Sequence, residues 1–574
     1  MAKKYICYLI ILIAAVLTLS GLLFSKVWFT AHEGLQDWRN FILMDQFKQS
    51  FLSGNLYPRW MPDLYGGYGY PTFLFYQPGF FFIGLLFSFM PGYPLSSFYF
   101  LILFLFIVGS ISVFEIARMI IKDNLAALYA AVMFMLTPYL FVDLFVREDL
   151  GELMAMLLTP VPVLFLLKFI HNLENKDRVS YINLTFLVFS LGLVFISHPA
   201  KALFYVPTFA LLAVLLARGL RHPKIYLFNI FIAVFLVFLW TSSYWFPLIQ
   251  MSRYVPMARL IDGYHKASEH VVYLPQFFSR FWGFGASYFS SRDQMPFPLG
   301  AVHFLAALLG CCLGFKNRLV RNSFFIYVGL IFIMTPYCVV LWDKVLVLRY
   351  VQFPWRILSV TAVFQAMAIL GLGLYLKDKK NKILKILFFL IIGLTIFWQW
   401  PAFKPGGRMD PKKEYVSVHR NIRGRFNTLT DGGEFTPKYG ARNLAALGPR
   451  GNKRRLVEIE FEKKNKIWYE KGHSQFRLRF KAELNEVDTI TINQVYLPDW
   501  KIVVNKKKLG QQCIKSRLSH DGRIRIGPLS PGTYKVVAYY KGPPYSSYRI
   551  AVAMILAVGT IIVLFVYNKR AFSE

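Results

Sequence analysis

Residues 5–24 and 550–566 are apolar runs that, at about 1.5 Å per helical residue, cross or nearly cross a hydrocarbon core of roughly 30 Å. Similar runs recur through most of the chain between them. A water-soluble fold has no place for so much apolar surface: 56% of the 574 residues are hydrophobic and 18% are aromatic. The sequence therefore reads as a polytopic α-helical membrane protein. Residues 5–24 follow Lys3 and Lys4 as a secretory leader would, but the run is long and no clear small-x-small cleavage site precedes His32, so it is read as a retained first helix. Cys7, Cys311, Cys312 and Cys338 lie in apolar runs and Cys513 stands apart from them, which implies neither a disulfide framework nor a zinc site.

Charge sets the topology. Helices are expected at 5–24, 97–117, 125–141, 150–167, 181–196, 203–216, 225–246, 299–314, 323–341, 356–376, 383–398 and 549–566, about twelve in all. Lys and Arg are retained on the cytoplasmic side of short connections, and every second connection here is basic. Arg118 and Lys122, then Lys168, Lys176 and Arg178, then Arg218, Arg221 and Lys224 fall on one side, with Lys316, Arg318 and Arg321, the cluster 377–385, and Lys569 and Arg570. This pattern puts both termini in the cytoplasm and three segments outside: 27–96, 248–298 and 401–548. Residues 73–90 are apolar but broken by Pro78 and Gly79, and a full crossing there would invert every later loop, so they are read as interfacial or re-entrant.

The chain thus divides into a transmembrane domain, 1–400, with a large first external loop, a β-rich basic domain, 401–548, and a last helix with a short tail, 549–574. Strand-like alternation marks 455–462, 475–481, 489–495, 500–504 and 533–540, with turns at Asp521-Gly522 and Pro531-Gly532, so an extracytoplasmic β-sandwich is expected. From Pro401 to Pro543 there are 30 Lys and Arg against 13 Asp and Glu, half of the formal charge of +34. On an outer face nucleic acid is not an expected partner. Anionic lipid headgroups, phosphates or acidic cell-surface polymers fit such a surface, and a merely solvated face competes with them.

Chemistry is sought in the outer segments. His32-Glu33 directly follows the first helix, where a carboxylate at the rim of a membrane cavity can stay ionised yet partly desolvated, as a general base requires. Tyr57-Pro58-Arg59-Trp60 and Gly66-Gly67-Tyr68-Gly69-Tyr70-Pro71 read as an aromatic interfacial loop in which Arg59 is placed to meet a phosphate. Asp143, Arg147 and Glu152 are spaced to face one cavity, either as a binding site or as a structural ion pair. His198 and Lys201 stand at the outer end of the fifth helix. Pro354 suits a helix start, where free N–H groups attract anions, and Arg356 adds a fixed charge beside it. Snorkelling to lipid phosphate is the competing account of Lys201 and Arg356.

In this order, His32-Glu33-Gly34, Tyr57-Pro58-Arg59-Trp60, Gly67-Tyr68-Gly69-Tyr70-Pro71, Tyr76-x-Pro78, Arg147-x4-Glu152, Ser197-His198 and Phe353-Pro354-Trp355-Arg356 resemble a bacterial membrane family. It is the one labelled 6-pyruvoyl-tetrahydropterin synthase-related, akin to YfhO-like proteins and the C-type (GT-C) glycosyltransferase superfamily. Pterin chemistry is not implied, because no clustered-histidine zinc site is present. The resemblance implies an inner-membrane enzyme that transfers a sugar from a polyprenyl-phosphate donor to a lipid, glycan or protein acceptor on the outer face, with inversion. Glu33 would be its base; many relatives carry His-Asp where this chain has His32-Glu33. Arg147, Lys201 and Arg356 would bind the phosphate, and His198 and Arg59 would position donor or acceptor. A divalent cation is left open. The competing classes are a lipid-linked glycan flippase and a non-catalytic assembly component whose basic domain holds a surface polymer through Lys506, Lys507 and Lys508.

Overall fold

The computed structural model describes residues 2–19, 28–30, 39–91, 95–176, 179–288, 293–377, 382–403, 407–409, 435–439, 457–459, 465–471, 474, 476–510, 514 and 518–542. Among the described residues, five helices are long and apolar enough to cross a membrane: Ser97–Ile121, Leu150–Asn175, Pro199–Ala217, Pro223–Ser252 and Pro354–Tyr375. Two bent pairs raise the number to as many as seven. Asn124–Met135 and Pro138–Val146 meet at 41°, and Arg318–Ile333 and Pro336–Lys344 at 77°. Each break falls at a proline, which lacks the N–H that would continue the helix.

Ala2–Thr18, Tyr181–Ser197, Ala301–Leu313 and Lys382–Trp398 are shorter, at 13 to 17 residues, against about 20 for a full crossing. Helices therefore occupy eleven of the twelve expected positions, and five to seven have the length and composition of a complete span. The twelfth, 549–566, lies outside the described residues. Residues 73–90 contain a nine-residue helix, Gly79–Phe87, which at roughly 13 Å is far too short to cross. Large apolar side chains such as Ile182, Phe231, Phe325 and Phe389 are exposed on the helices, a surface suited to lipid.

Pro354–Tyr375 is the central helix. It is 94% buried inside the protein, against 44% to 72% for the other four long helices. At the end of the bundle that carries the basic connections, Glu115 pairs with Arg118 at 2.9 Å and with Lys4 at 3.2 Å, tying the first helix to Ser97–Ile121. The cluster described below lies at the opposite helix ends.

Among the described residues the β-rich part forms two antiparallel sheets. Strands β3 (Val457–Ile459), β6 (Asp488–Val495) and β9 (Arg523–Leu529) form one, in the order β3-β6-β9. Strands β4 (Lys466–Tyr469), β5 (Leu478–Leu484), β7 (Trp500–Val504), β8 (Lys507–Lys508) and β10 (Gly532–Tyr540) form the other, in the order β4-β5-β10-β7-β8. A short pair, β1 (Trp28–Thr30) with β2 (Gly407–Met409), joins the start of the chain to the segment after the last described helix.

The aromatic loop of residues 59–70 is a folded mooring for the sheets. Trp60 Nε1 donates to Gln494 Oε1 at 2.7 Å, Gln494 Nε2 donates to the Pro62 and Gly67 carbonyls at 3.1 Å, and Val495 N donates to Tyr68 O at 2.6 Å. The Trp60 ring packs against Trp500 and Tyr540. Gly69 sits at φ +90°, and a Cβ there would lie 2.4 Å from both Gln494 Oε1 and the Trp60 ring, so only glycine fits. Gly69→Ala is expected to destabilise the protein by on the order of 1–3 kcal/mol and to red-shift tryptophan emission as Trp60 and Trp500 separate. A melting temperature and spectrum equal to wild type would show that this mooring contributes nothing.

Candidate functional site

The site begins at a helix that changes pitch. Pro138–Phe141 runs into a π turn, Val142–Val146, closed by the Arg147 N–H on the Val142 carbonyl at 2.8 Å. Such π segments occur mostly as local insertions, frequently where function is located. Glu148 then adopts φ +52°, a left-handed conformation that a non-glycine residue takes at a cost of about 1–2 kcal/mol. This reversal lets Asp149 cap the next helix, Leu150–Leu158, by accepting the Glu152 N–H at 2.9 Å. Four ionisable side chains thereby converge: Asp143, Arg147, Asp149 and Glu152.

Arg147 is the hub. Its Nη1 donates to Asp143 Oδ1 and Glu152 Oε2, both at 2.6 Å, and to the Tyr139 hydroxyl at 3.0 Å, while Nη2 donates to Asp149 Oδ2 at 3.1 Å. The guanidinium lies over the Trp355 ring, 4.6 Å from its centroid. His198 separates Tyr181–Ser197 from Pro199–Ala217. Its Nδ1 accepts the Lys201 N–H at 3.1 Å, and its Nε2 stands 3.5 Å from Asp149 Oδ2 and 3.6 Å from Glu152 Oε2. Arg356 opens the central helix, with Nε 4.0 Å from Glu152 Oε2 and Nη1 donating to Gln352 Oε1 at 2.8 Å and Val351 O at 3.0 Å. Gln352, like Glu148, is left-handed, at φ +67°.

These groups are enclosed. Asp143, Glu152, His198 and Lys201 are 3% exposed or less. Three carboxylates balance three cations, yet several atoms have no hydrogen-bond partner among the described residues: Lys201 Nζ, Arg356 Nε, Arg147 Nε, Asp143 Oδ2 and Glu152 Oε1. Buried polar atoms are nearly always satisfied, so unmet capacity of both signs marks a place built to receive a polar guest. A pocket lined by Arg147, Arg356, Trp355, Phe353 and Ser287 opens beside the two guanidinium groups.

Motifs far apart in sequence meet here. A Cβ on Gly151 would lie 2.8 Å from Gln77 Nε2 and 2.9 Å from Ser197 O, so the Tyr76-Gln77-Pro78 turn, the start of Leu150–Leu158 and the Ser197-His198 step touch at a glycine. The chain after the first helix is fastened to the same place on either side of residues 31–38. Strand β1 lies against the π turn Val142–Val146, and Asn40 Nδ2 donates to the Glu148 carbonyl at 3.1 Å.

Of the residues singled out in the sequence, Asp143, Arg147, Glu152, His198, Lys201 and Arg356 are brought together. His32 and Glu33 lie outside the described residues. Arg59 does not join the cluster: it is buried under the β-rich part, over the Tyr57 ring at 4.5 Å, with Nη2 donating to Ser243 O at 3.4 Å. Asp499 is nearby; burial pushes its carboxyl up to about 6 against the pull of Lys501 and Arg59. Asp149, Tyr139 and Trp355 join the cluster, although the sequence assigns none of them a role there. The Asp149-x-x-Glu152 spacing, a helix start with an acid three residues on, was the available signal for the first.

Asp149, Glu152 and His198 offer donor atoms within 4.8 Å of one another, the spacing of a cation site. The histidine does not suit that role. Its Nδ1 accepts a backbone N–H, so the ring proton sits on Nε2, which faces the carboxylates as a donor. Both carboxylates are also engaged by Arg147. Millimolar Mn²⁺ or Mg²⁺ is therefore expected to leave the melting temperature unchanged; a rise that is lost in His198→Ala would overturn this reading.

No family model and no curated protein matches the chain. Solved structures that resemble it include two transferases. One is the single-particle cryo-EM structure of the arabinofuranosyltransferase AftD from Mycobacteria, with a TM-score of 0.40 and 12% identity, covering 72% of this chain and 28% of that one. The other is the crystal structure of the Archaeoglobus fulgidus oligosaccharyltransferase tethered to an acceptor peptide, with a TM-score of 0.43 and 17% identity, covering 72% of this chain and 57% of that one. The chain thus spans less than two thirds of either.

Proposed function

We propose that this protein is a GT-C-type membrane glycosyltransferase of about twelve spans, with its β-rich domain a sandwich on the extracytoplasmic face. It transfers a sugar from a polyprenyl-phosphate donor to a lipid, glycan or protein acceptor, with inversion. The observation that carries this reading is the cluster itself: three buried cations with unused donors at the helix ends opposite the basic connections, beside the two points that fasten the segment containing Glu33.

In this mechanism Glu33 takes the proton of the acceptor hydroxyl as its oxygen attacks the anomeric carbon, and the sugar–phosphate bond breaks on the opposite face. The departing polyprenyl phosphate gains charge, and Arg356 and Lys201 meet it through charge-assisted hydrogen bonds in a poorly hydrated pocket. Arg147 is largely committed to Asp143, Asp149 and Glu152, so it organises the acids and contributes its remaining Nε to the pocket. Trp355 holds that guanidinium from below. The flippase reading calls for charges midway along broken spans. Here the charges sit at helix ends, which favours the enzyme.

The test is transfer of radiolabelled sugar from a panel of polyprenyl-phosphate sugars in proteoliposomes. Arg356→Ala is expected to lower turnover by about 10²–10³-fold, the scale of losing one donor to a developing oxyanion, with the melting temperature near wild type. Donor binding by wild type without turnover across a panel of acceptors would favour the flippase, and no donor binding at all would favour an assembly component.

A further inference from the structure

The five-stranded sheet has one face packed inward and one turned out. Leu478, Phe480, Ala482 and Leu484 of β5, Val536, Ala538 and Tyr540 of β10, and Trp500 and Ile502 of β7 are buried. Successive residues of a strand point to opposite faces, and the register pairs Lys481 with Trp468 and Lys535, Tyr539 with Lys501, and Val503 with Lys508. The outward face therefore carries a cation on every strand: Lys466 on β4, Arg479 and Lys481 on β5, Lys535 on β10, Lys501 on β7 and Lys508 on β8. Arg477, just before β5, joins them. Glu483 on β5 shares this face, as does Glu470 just after β4, whose N–H donates to the Arg479 carbonyl at 2.9 Å.

Two aromatic rings lie among these cations. Lys481 Nζ is 5.9 Å from the centroid of the Trp468 ring, and the Arg477 guanidinium is 5.1 Å from that of Tyr539. Trp468 is 43% exposed, a large apolar surface to leave in water on a sheet face. Among the described residues, none of the ion pairs involves Lys466, Arg477, Lys481, Lys501, Lys508 or Lys535. Partial burial, and then the Lys508 ammonium, push the Lys501 amine down against the pull of Asp499, with Lys541 adding to the fall. A solvated surface that mixes both signs has no such imbalance.

We infer that this sheet face binds an anionic glycan strand, with its carboxylates or phosphates on the row of Lys and Arg and its sugar rings against Trp468 and Tyr539. Four interstrand gaps of about 4.8 Å make the platform roughly 19 Å wide, long enough for several sugar units. Orientation favours a glycan over a bilayer. Trp500 and Tyr540, which meet Trp60 of the first external loop, belong to the inward face, so Lys501 and Tyr539 beside them point away from the loop that fastens the domain to the helices. The inference goes beyond the transferase reading and does not depend on it, since binding is measured without a donor.

The experiment uses the full chain in neutral nanodiscs and measures binding to polygalacturonate, to uncharged dextran, and to phosphatidylglycerol vesicles. Polygalacturonate should bind at low salt, weaken as salt is raised, and lose at least tenfold in affinity in Lys481→Glu/Lys501→Glu. Trp468→Ala, which changes no charge, should lose severalfold, and dextran should not bind. Equal affinity in the charge variant would overturn the inference. So would a Trp468→Ala protein with wild-type affinity, or vesicle binding that falls in the charge variant while polygalacturonate binding does not.

Discussion

Glu33→Gln is expected to reduce sugar transfer by about 10²–10⁴-fold, the range general-base catalysis contributes, while donor binding and melting temperature stay near wild type. The amide keeps the size and most of the hydrogen bonding of the carboxylate but cannot take a proton. The expectation rests on where the flanking chain is held. Strand β1 and Asn40, on either side of residues 31–38, are both fixed to the segment 142–148 that leads into the cluster. A Glu33→Gln protein that transfers at the wild-type rate would remove Glu33 from the mechanism and leave one of the cluster acids as the base. Asp143, whose Oδ2 has no hydrogen-bond partner among the described residues, would be the next to substitute.

Arg147→Met should be the most damaging single change to the fold. Methionine approximates the volume of the stem and can lie on Trp355, but it leaves Asp143, Asp149 and Glu152 buried with the guanidinium gone. Breaking a buried ion pair from one side costs about 3–5 kcal/mol because the remaining charges are uncompensated. Little protein should reach the membrane, or its melting temperature should fall sharply. Removing one acid together with the cation, as in Arg147→Met/Asp143→Asn, should restore folding without restoring transfer. If the single variant folds as well as wild type, the cluster is better hydrated than its burial indicates, and its atoms without partners are satisfied by water.

Much of the cluster was legible because its members lie in short motifs at the ends of apolar runs. Arg147-x4-Glu152, Ser197-His198 and Phe353-Pro354-Trp355-Arg356 are recognisable before any helix is packed, and the alternation of basic connections puts them at one end of the bundle. What the sequence hides is how the chain turns there. The π turn and the left-handed Glu148 and Gln352 aim Asp149 and Arg356 inward, and neither residue type announces such a backbone. Arg59 shows the opposite failure. Its loop has the look of a membrane interface, but the aromatics dock on Gln494, Trp500 and Tyr540, partners more than 400 residues away that no local pattern names. Strand β9 is not among the expected strands although Arg523-Ile524-Arg525-Ile526 alternates cleanly, because only four residues alternate before Gly527-Pro528 breaks the pattern.

The mooring of residues 59–70 on the sheets also bears on how a held polymer would be used. A module on a slack tether raises the local concentration of its cargo but leaves every unit of that cargo equally able to reach the reactive centre. Here the Trp60–Gln494 contact and the hydrogen bond from Val495 to Tyr68 replace the tether with a jig. The sheet face then stands at a set distance from the helix ends, so the stretch of cargo between the two would act as a ruler, and products decorated at regular intervals would bear its mark.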